Sequence, residues 1–212
     1  MQCAKRASTE PSNIEHIVRE ERSPRQSSAR FSPNSMPEIV DQNNPILARR
    51  AAEVPPEDIT SPRIRDIIAR MKSALAGEPL GVAIAAPQIG ESLRIFVVSG
   101  KVFAKKKDAT PESLVDKAYI NPEVLKTSRK KNEMHEGCLS VKSDSPETLV
   151  WGTVSRADKI KIKAYDEAGK LAEHSATGFL SQVFQHEIDH LEGVLYISKA
   201  KSVYEEKYPK PE

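Results

Sequence analysis

Apolar residues recur along this chain at two periods, and each period predicts a different kind of element. Ile64, Ile67, Ile68, Met71 and Leu75 fall three and four apart, the spacing that lines one face of a helix. Ser61 caps the start of that run, Pro62 takes the first helical position, and Gly77 ends it. Leu180, Val183, Phe184 and Leu191 predict a second helix, from a Thr177 cap to a stop at Gly193.

The second period is two. Lys159 to Tyr165 alternates polar and apolar, which predicts a strand with one face in water. Asp166-Glu167-Ala168-Gly169 is turn chemistry, so Leu171 to Ser175 is expected to return as its partner. Leu93 to Val98 is a short β-branched run and predicts another strand. Tyr119-Ile120 reads as a strand end before Asn121-Pro122, and Val194 to Ile197 as a final short strand. Strands in local hairpins with two helices predict an α+β domain.

The flanks read differently. Residues 1–36 are polar, with apolar residues sparse apart from Ile14, Ile17 and Val18, and read as a loose extension. Arg19, Arg22, Arg25 and Arg30 favour organellar targeting, whereas Glu10, Glu15, Glu20 and Glu21 oppose it. Met36 is a second candidate start of translation. The folded domain is expected over 37–200, followed by a charged tail over 201–212.

Composition narrows the function classes. Lys and Arg number 32 against 30 Asp and Glu, a net charge of +2, which argues against a large basic nucleic-acid face. No run approaches the roughly 20 apolar residues that span a bilayer, and no secretory signal is visible. Cys3 and Cys138 are the only cysteines, so a structural disulfide is not expected and a reducing, cytoplasmic setting fits.

The chemistry concentrates in His186-Glu187-Ile188-Asp189-His190, inside the second helix. Residues four apart share a helix face, so the two imidazoles can close on one transition-metal ion. Glu187 stands beside them as a candidate general base. A catalytic site needs a third protein ligand. A third His after Gly193 would fall at position 196, which is Tyr196, so that protease pattern fails. Glu205 and Glu206 are weak alternatives, lying near the C-terminus. Cys138 is the strong remaining donor, and a thiolate with two imidazoles suits Zn²⁺ or Fe²⁺.

Three ordered motifs then carry a resemblance. They are Gly81-Val82-Ala83-Ile84-Ala85-Ala86-Pro87-Gln88, Glu136-Gly137-Cys138-Leu139-Ser140, and Gln185 through Gly193 around the paired histidines. Together, over about residues 37–200, the chain resembles the peptide deformylases. The resemblance implies an α+β fold with antiparallel and mixed sheets around a central metal-binding helix. It implies Cys138, His186 and His190 as metal ligands and Glu187 as the catalytic carboxylate. Gln88 and the Leu139 N–H would bind the formyl oxygen. Gly81, Val82 and Ala83 would form the edge on which a substrate peptide adds as a strand, beside Glu136, and Arg156 would pair with Glu136 behind the site. The expected metal is Fe²⁺, with Zn²⁺ or Ni²⁺ as substitutes. The expected substrate is the N-formyl-Met end of a nascent peptide, met by a monomer near the ribosome, with no specific nucleic acid and no membrane.

Such an assignment satisfies the chemistry of amide hydrolysis: an activated water, donors aimed at the oxyanion, and a proton for the leaving amine. Four features depart from the family pattern. Ala83 and Lys142 stand where Gly and Pro are usual. The segment from Val141 to Thr153, which holds Trp151, is longer than is common and is either a substrate lip or a surface insertion. Gln182 places a polar group near the expected methionine pocket. Two rivals therefore stand beside deformylation: a metallopeptidase, and a catalytically weakened homologue that only binds N-termini.

Overall fold

The computed structural model describes residues 37–103, 114–145 and 147–207. The expected extension over 1–36, with His16, its targeting arginines and Met36, lies outside the described residues.

Helix α1 spans Pro62–Ala76, and the Ser61 hydroxyl accepts from the Ile64 N–H at its start. Helix α2 spans Gly178–Leu191, with Thr177 at the cap position but making no side-chain capping bond. A five-stranded sheet runs in the order β1 (Ala83–Ala85), β2 (Ile95–Val98), β3 (Lys117–Thr127), β6 (Lys159–Tyr165) and β7 (Leu171–Thr177). A second sheet places β5 (Thr148–Ala157) between β4 (Lys131–Glu136) and β8 (Ser202–Lys207). The strand pairs are antiparallel. Among the described residues the expected mixed character is confined to one isolated parallel bridge, Ala52 to Leu93.

The helices take opposite faces of the larger sheet. Ile84, Ile95, Val97 and Ile120 pack with Ile64, Ile67, Ile68 and Met71 of α1. Their neighbours Ala83, Ala85, Phe96 and Val98 point the other way, to Val183, Phe184, Ile188 and Leu191 of α2. Burial on both faces explains why β2 is apolar throughout while β6, covered on one face, alternates. Stripping water from these side chains stabilises the fold by roughly 1.5–3 kcal/mol for each fully buried large one.

Three sequence expectations are corrected. Val194 to Ile197 is not a strand; the chain makes a 3₁₀ turn at Tyr196–Ser198 instead. Part of the expected tail, Ser202–Lys207, is strand β8 on the edge of β5. Tyr119-Ile120 does not end β3, which continues to Thr127. Asn121 makes this possible by adopting φ 51°. Its amide also clasps the Val54 backbone, accepting from N–H at 2.9 Å and donating to C=O at 2.7 Å.

The end of α2 is fixed from outside. Arg94, buried, reaches Glu192 at 2.7 Å and donates to the carbonyls of Leu191 and Pro122. A cation there complements the negative end of the helix dipole. Gly193 then turns the chain with φ 74°, and a Cβ on it would lie 2.8 Å from backbone carbons of Ala48 and Arg49.

Candidate metal centre

Two sheets and one helix converge on the site. Helix α2 presents His186 and His190 one turn apart, with ring centroids 5.0 Å from each other. The loop leaving β4 brings Cys138 over them, 3.3 Å from Sγ to His190 Nε2. One donor atom from each of Cys138, His186 and His190 lies within 4.8 Å of the others. Among the described residues, this is the cluster of three or more such groups able to hold an ion. Glu205 and Glu206, in exposed β8, do not join it.

The donor set fits a transition metal. Glu136 Oε2 meets His186 Nδ1 at 3.0 Å, which leaves Nε2 of that ring for the shared site. Burial would raise the Cys138 thiol, but His190 and His186 beside it hold it down to about 5, a shift that favours the thiolate form a metal binds. Burial pushes Glu187 up to about 7, against the pull of His186 and His190. Glu187 Oε2 and His190 Nδ1 are buried without a hydrogen-bond partner. An orphaned carboxylate oxygen beside three convergent soft and borderline donors is what a metal-activated water would satisfy.

Glu136 is itself held from behind. Arg156 Nε and Nη2 donate to its two oxygens at 2.6 and 2.8 Å. Burial would raise this carboxyl, but Arg156 and His186 outweigh it and hold it near 2. The third arm of Arg156, Nη1, donates to Asp189 Oδ2 at 2.6 Å, and Lys199 takes the other oxygen of Asp189 at 2.6 Å.

Gln88 sits across the site from α2. Its Oε1 accepts from the Ala85 N–H at 2.9 Å, and its Nε2 donates to Ser140 Oγ at 3.2 Å and lies 3.5 Å from Cys138 Sγ. That orientation turns an amide donor toward the thiol. A groove of about 1060 Å³ opens here, lined by Gly81, Val82, Ala83, Gln88, Glu136, Cys138, Leu139, His186 and Glu187. Strand β1 is the edge of its sheet, so the edge expected at Gly81 to Ala83 borders this groove. His190 and Arg156 lie deeper, each almost wholly buried.

The match to the model of the family described as "Polypeptide deformylase" spans residues 36–206. The chain belongs to the polypeptide deformylase family. Peptide deformylases are metal-dependent hydrolases, and the Cys138, His186 and His190 set is the family's metal site. Over 170 residues the chain is 35% identical to the peptide deformylase of Desulforudis audaxviator, covering 80% of this chain and 97% of that one. Over 174 residues it is 34% identical to the chloroplastic peptide deformylase 1A of Solanum lycopersicum, covering 78% of this chain. It spans about three fifths (60%) of the length of that plant relative. A Met-Ala-Ser-bound structure of the class I type b peptide deformylase from Acinetobacter baumannii matches with TM-score 0.65 at 30% identity. That match covers 77% of this chain and 99% of the other.

Within this deformylase framework, sequence reasoning missed four contributors. Asp189 and Lys199 extend the Glu136–Arg156 pair into a chain of alternating charge. Tyr196 stacks on His186 with centroids 5.9 Å apart and donates its OH to the Val150 carbonyl at 2.8 Å. The sequence reads position 196 as a failed third histidine within a short strand, and neither reading gives it a place beside His186. Ser140, fully buried, fixes Gln88. No helix among the described residues is long and apolar enough to cross a membrane.

Proposed function

We propose that this chain removes the N-formyl group from formyl-methionine at the start of nascent polypeptides, releasing formate. The observation that carries the reading is the convergence of Cys138, His186 and His190 on one point, with the unpartnered Glu187 oxygen beside it at the base of an open groove. A divalent cation held by these three residues supplies Lewis acidity, which acidifies water and polarises a carbonyl. Fe²⁺ is the working ion by family resemblance, and Zn²⁺ or Ni²⁺ can replace it, because raw affinity favours the later metals.

The chain's own residues divide the remaining work. Glu187 takes the proton of the attacking water and passes it to the departing amine, a role that suits a carboxylate held near neutrality by burial. Gln88 Nε2 and the Leu139 N–H aim at the developing oxyanion, and losing one such donor costs about 2.7–4 kcal/mol of barrier. Gly81 and Val82, which lead into β1, and Ala83 at its start offer a free edge to an extended peptide. Glu136, fixed by Arg156, orients His186. The peptide bound to the Acinetobacter relative supports a peptide N-terminus as ligand. The same reading makes the protein a monomer acting near ribosomes, with residues 37–200 as its catalytic core. Its compartment is the cytoplasm, although a chloroplastic relative makes an organelle the alternative.

The test is formate release by anaerobically purified protein of known metal content. Formyl-Met-Ala-Ser is expected to be hydrolysed and acetyl-Met-Ala-Ser left intact. Internal cleavage without a formyl requirement would make the chain a peptidase, and binding without turnover would make it a degenerate homologue.

A further inference from the structure

Gln182 lies one turn before His186 on α2 and lines the same groove, yet it takes no part in the chemistry derived above. Its Nε2 donates to the His135 carbonyl at 2.7 Å. A carbonyl can pair only with the NH₂ end of an amide, so this bond fixes which way the group points. Among the described residues Oε1 has no hydrogen-bond partner, and it is not one of the sealed unpartnered atoms. With the residue only 6% exposed, the accessible part of Gln182 is the part bordering the groove. The groove wall therefore presents a pre-oriented hydrogen-bond acceptor between Val183 and the exposed ring of Phe179.

We infer that Gln182 is a specificity-determining residue that opens the site to formyl-peptides whose first side chain donates a hydrogen bond, in addition to methionine. The inference rests on the deformylase reading. A bond hydrolysed beside His186 and Glu187 places the first substrate residue next to that turn of the helix. Residues four apart on a helix have Cβ atoms about 5–6 Å apart. An unbranched side chain of methionine's length spans that distance and ends at Gln182. Methionine offers no donor to Oε1, whereas glutamine has nearly the same length and offers an N–H. The fixed orientation matters because a group already held in place loses little entropy on binding.

The experiment compares formyl-Met-Ala-Ser with formyl-Gln-Ala-Ser, using metal-loaded wild type and Gln182→Met, with Gln182→Leu as a second variant. Formate release gives the ratio of kcat/KM for the two peptides. Calorimetry gives the ratio of Kd for the unformylated Met-Ala-Ser and Gln-Ala-Ser. Either variant is expected to raise the preference for methionine about tenfold, the value of one hydrogen bond, mainly through KM and with a parallel change in Kd. Unchanged ratios in both measurements overturn the inference. Wild type that binds both peptides but releases no formate overturns the deformylase reading instead, and the Kd ratio still judges Gln182.

Discussion

Arg156 grips Glu136 with two parallel hydrogen bonds of 2.6 and 2.8 Å, and both side chains are almost wholly buried. Glu136 spends the face of its carboxylate nearest α2 on His186. A charge pair in the interior thereby sets the direction of a metal ligand. Arg156→Met leaves buried Glu136 with His186 as its remaining partner and removes a partner of Asp189, a change expected to cost about 3–5 kcal/mol of stability. Metal affinity should fall about 10–100-fold. Arg156→Lys should recover only part of this, since an ammonium cannot form the fork. Urea titration of the apo protein and competitive metal titration measure the two effects, and an unchanged metal Kd would remove Arg156 from the site.

Glu187 can be separated from metal binding. Glu187→Ala is expected to keep one metal per chain while turnover falls by about 10²–10⁴ or more. Removing a buried oxygen with no partner should leave the apo protein no less stable, and denaturation curves test that half. Normal deformylation by the metal-loaded variant would exclude Glu187 as the proton carrier.

Alkaline pH should weaken the core through Tyr119. Burial pushes this phenol from its ordinary value near 10 up to about 12. The neutral form is favoured in the folded state, so the stabilisation is complete below pH 10 and lost as pH rises through about 12. The loss amounts to about 2–3 kcal/mol. Tyr119→Phe keeps the stacking on Phe96, 4.8 Å between centroids, and should flatten this limb of the stability curve. Tyr196 is raised in the same direction, so some alkaline loss remains. An identical limb in wild type and variant would contradict the assignment.

Much of the site could be read from residue order because its parts are local. The histidine pair needs only helical spacing, and the β6–β7 hairpin needs only alternation and a turn. The parts that escaped are set by distant contacts. Asn121-Pro122 carries a turn signal, yet Asn121 bends β3 without ending it because its amide is occupied by Val54, 67 positions away. Strand β8 is exposed along its whole length and has no apolar period; only the free edge of β5 makes it a strand. Asp189 sat inside the most informative motif, but its role depends on Arg156 and Lys199 reaching it from elsewhere. Trp151, expected in a substrate lip or surface insertion, lies in β5 and borders the groove beside Gly137.

The coordination sphere of the bound ion tests the central claim most directly. X-ray absorption on anaerobically purified protein should give one sulfur and two imidazole nitrogens around a single metal per chain. Cys138→Ser should lose the sulfur scatterer and bind the ion more weakly. A wild-type spectrum without sulfur, or metal content and affinity unchanged by Cys138→Ser, would contradict the account.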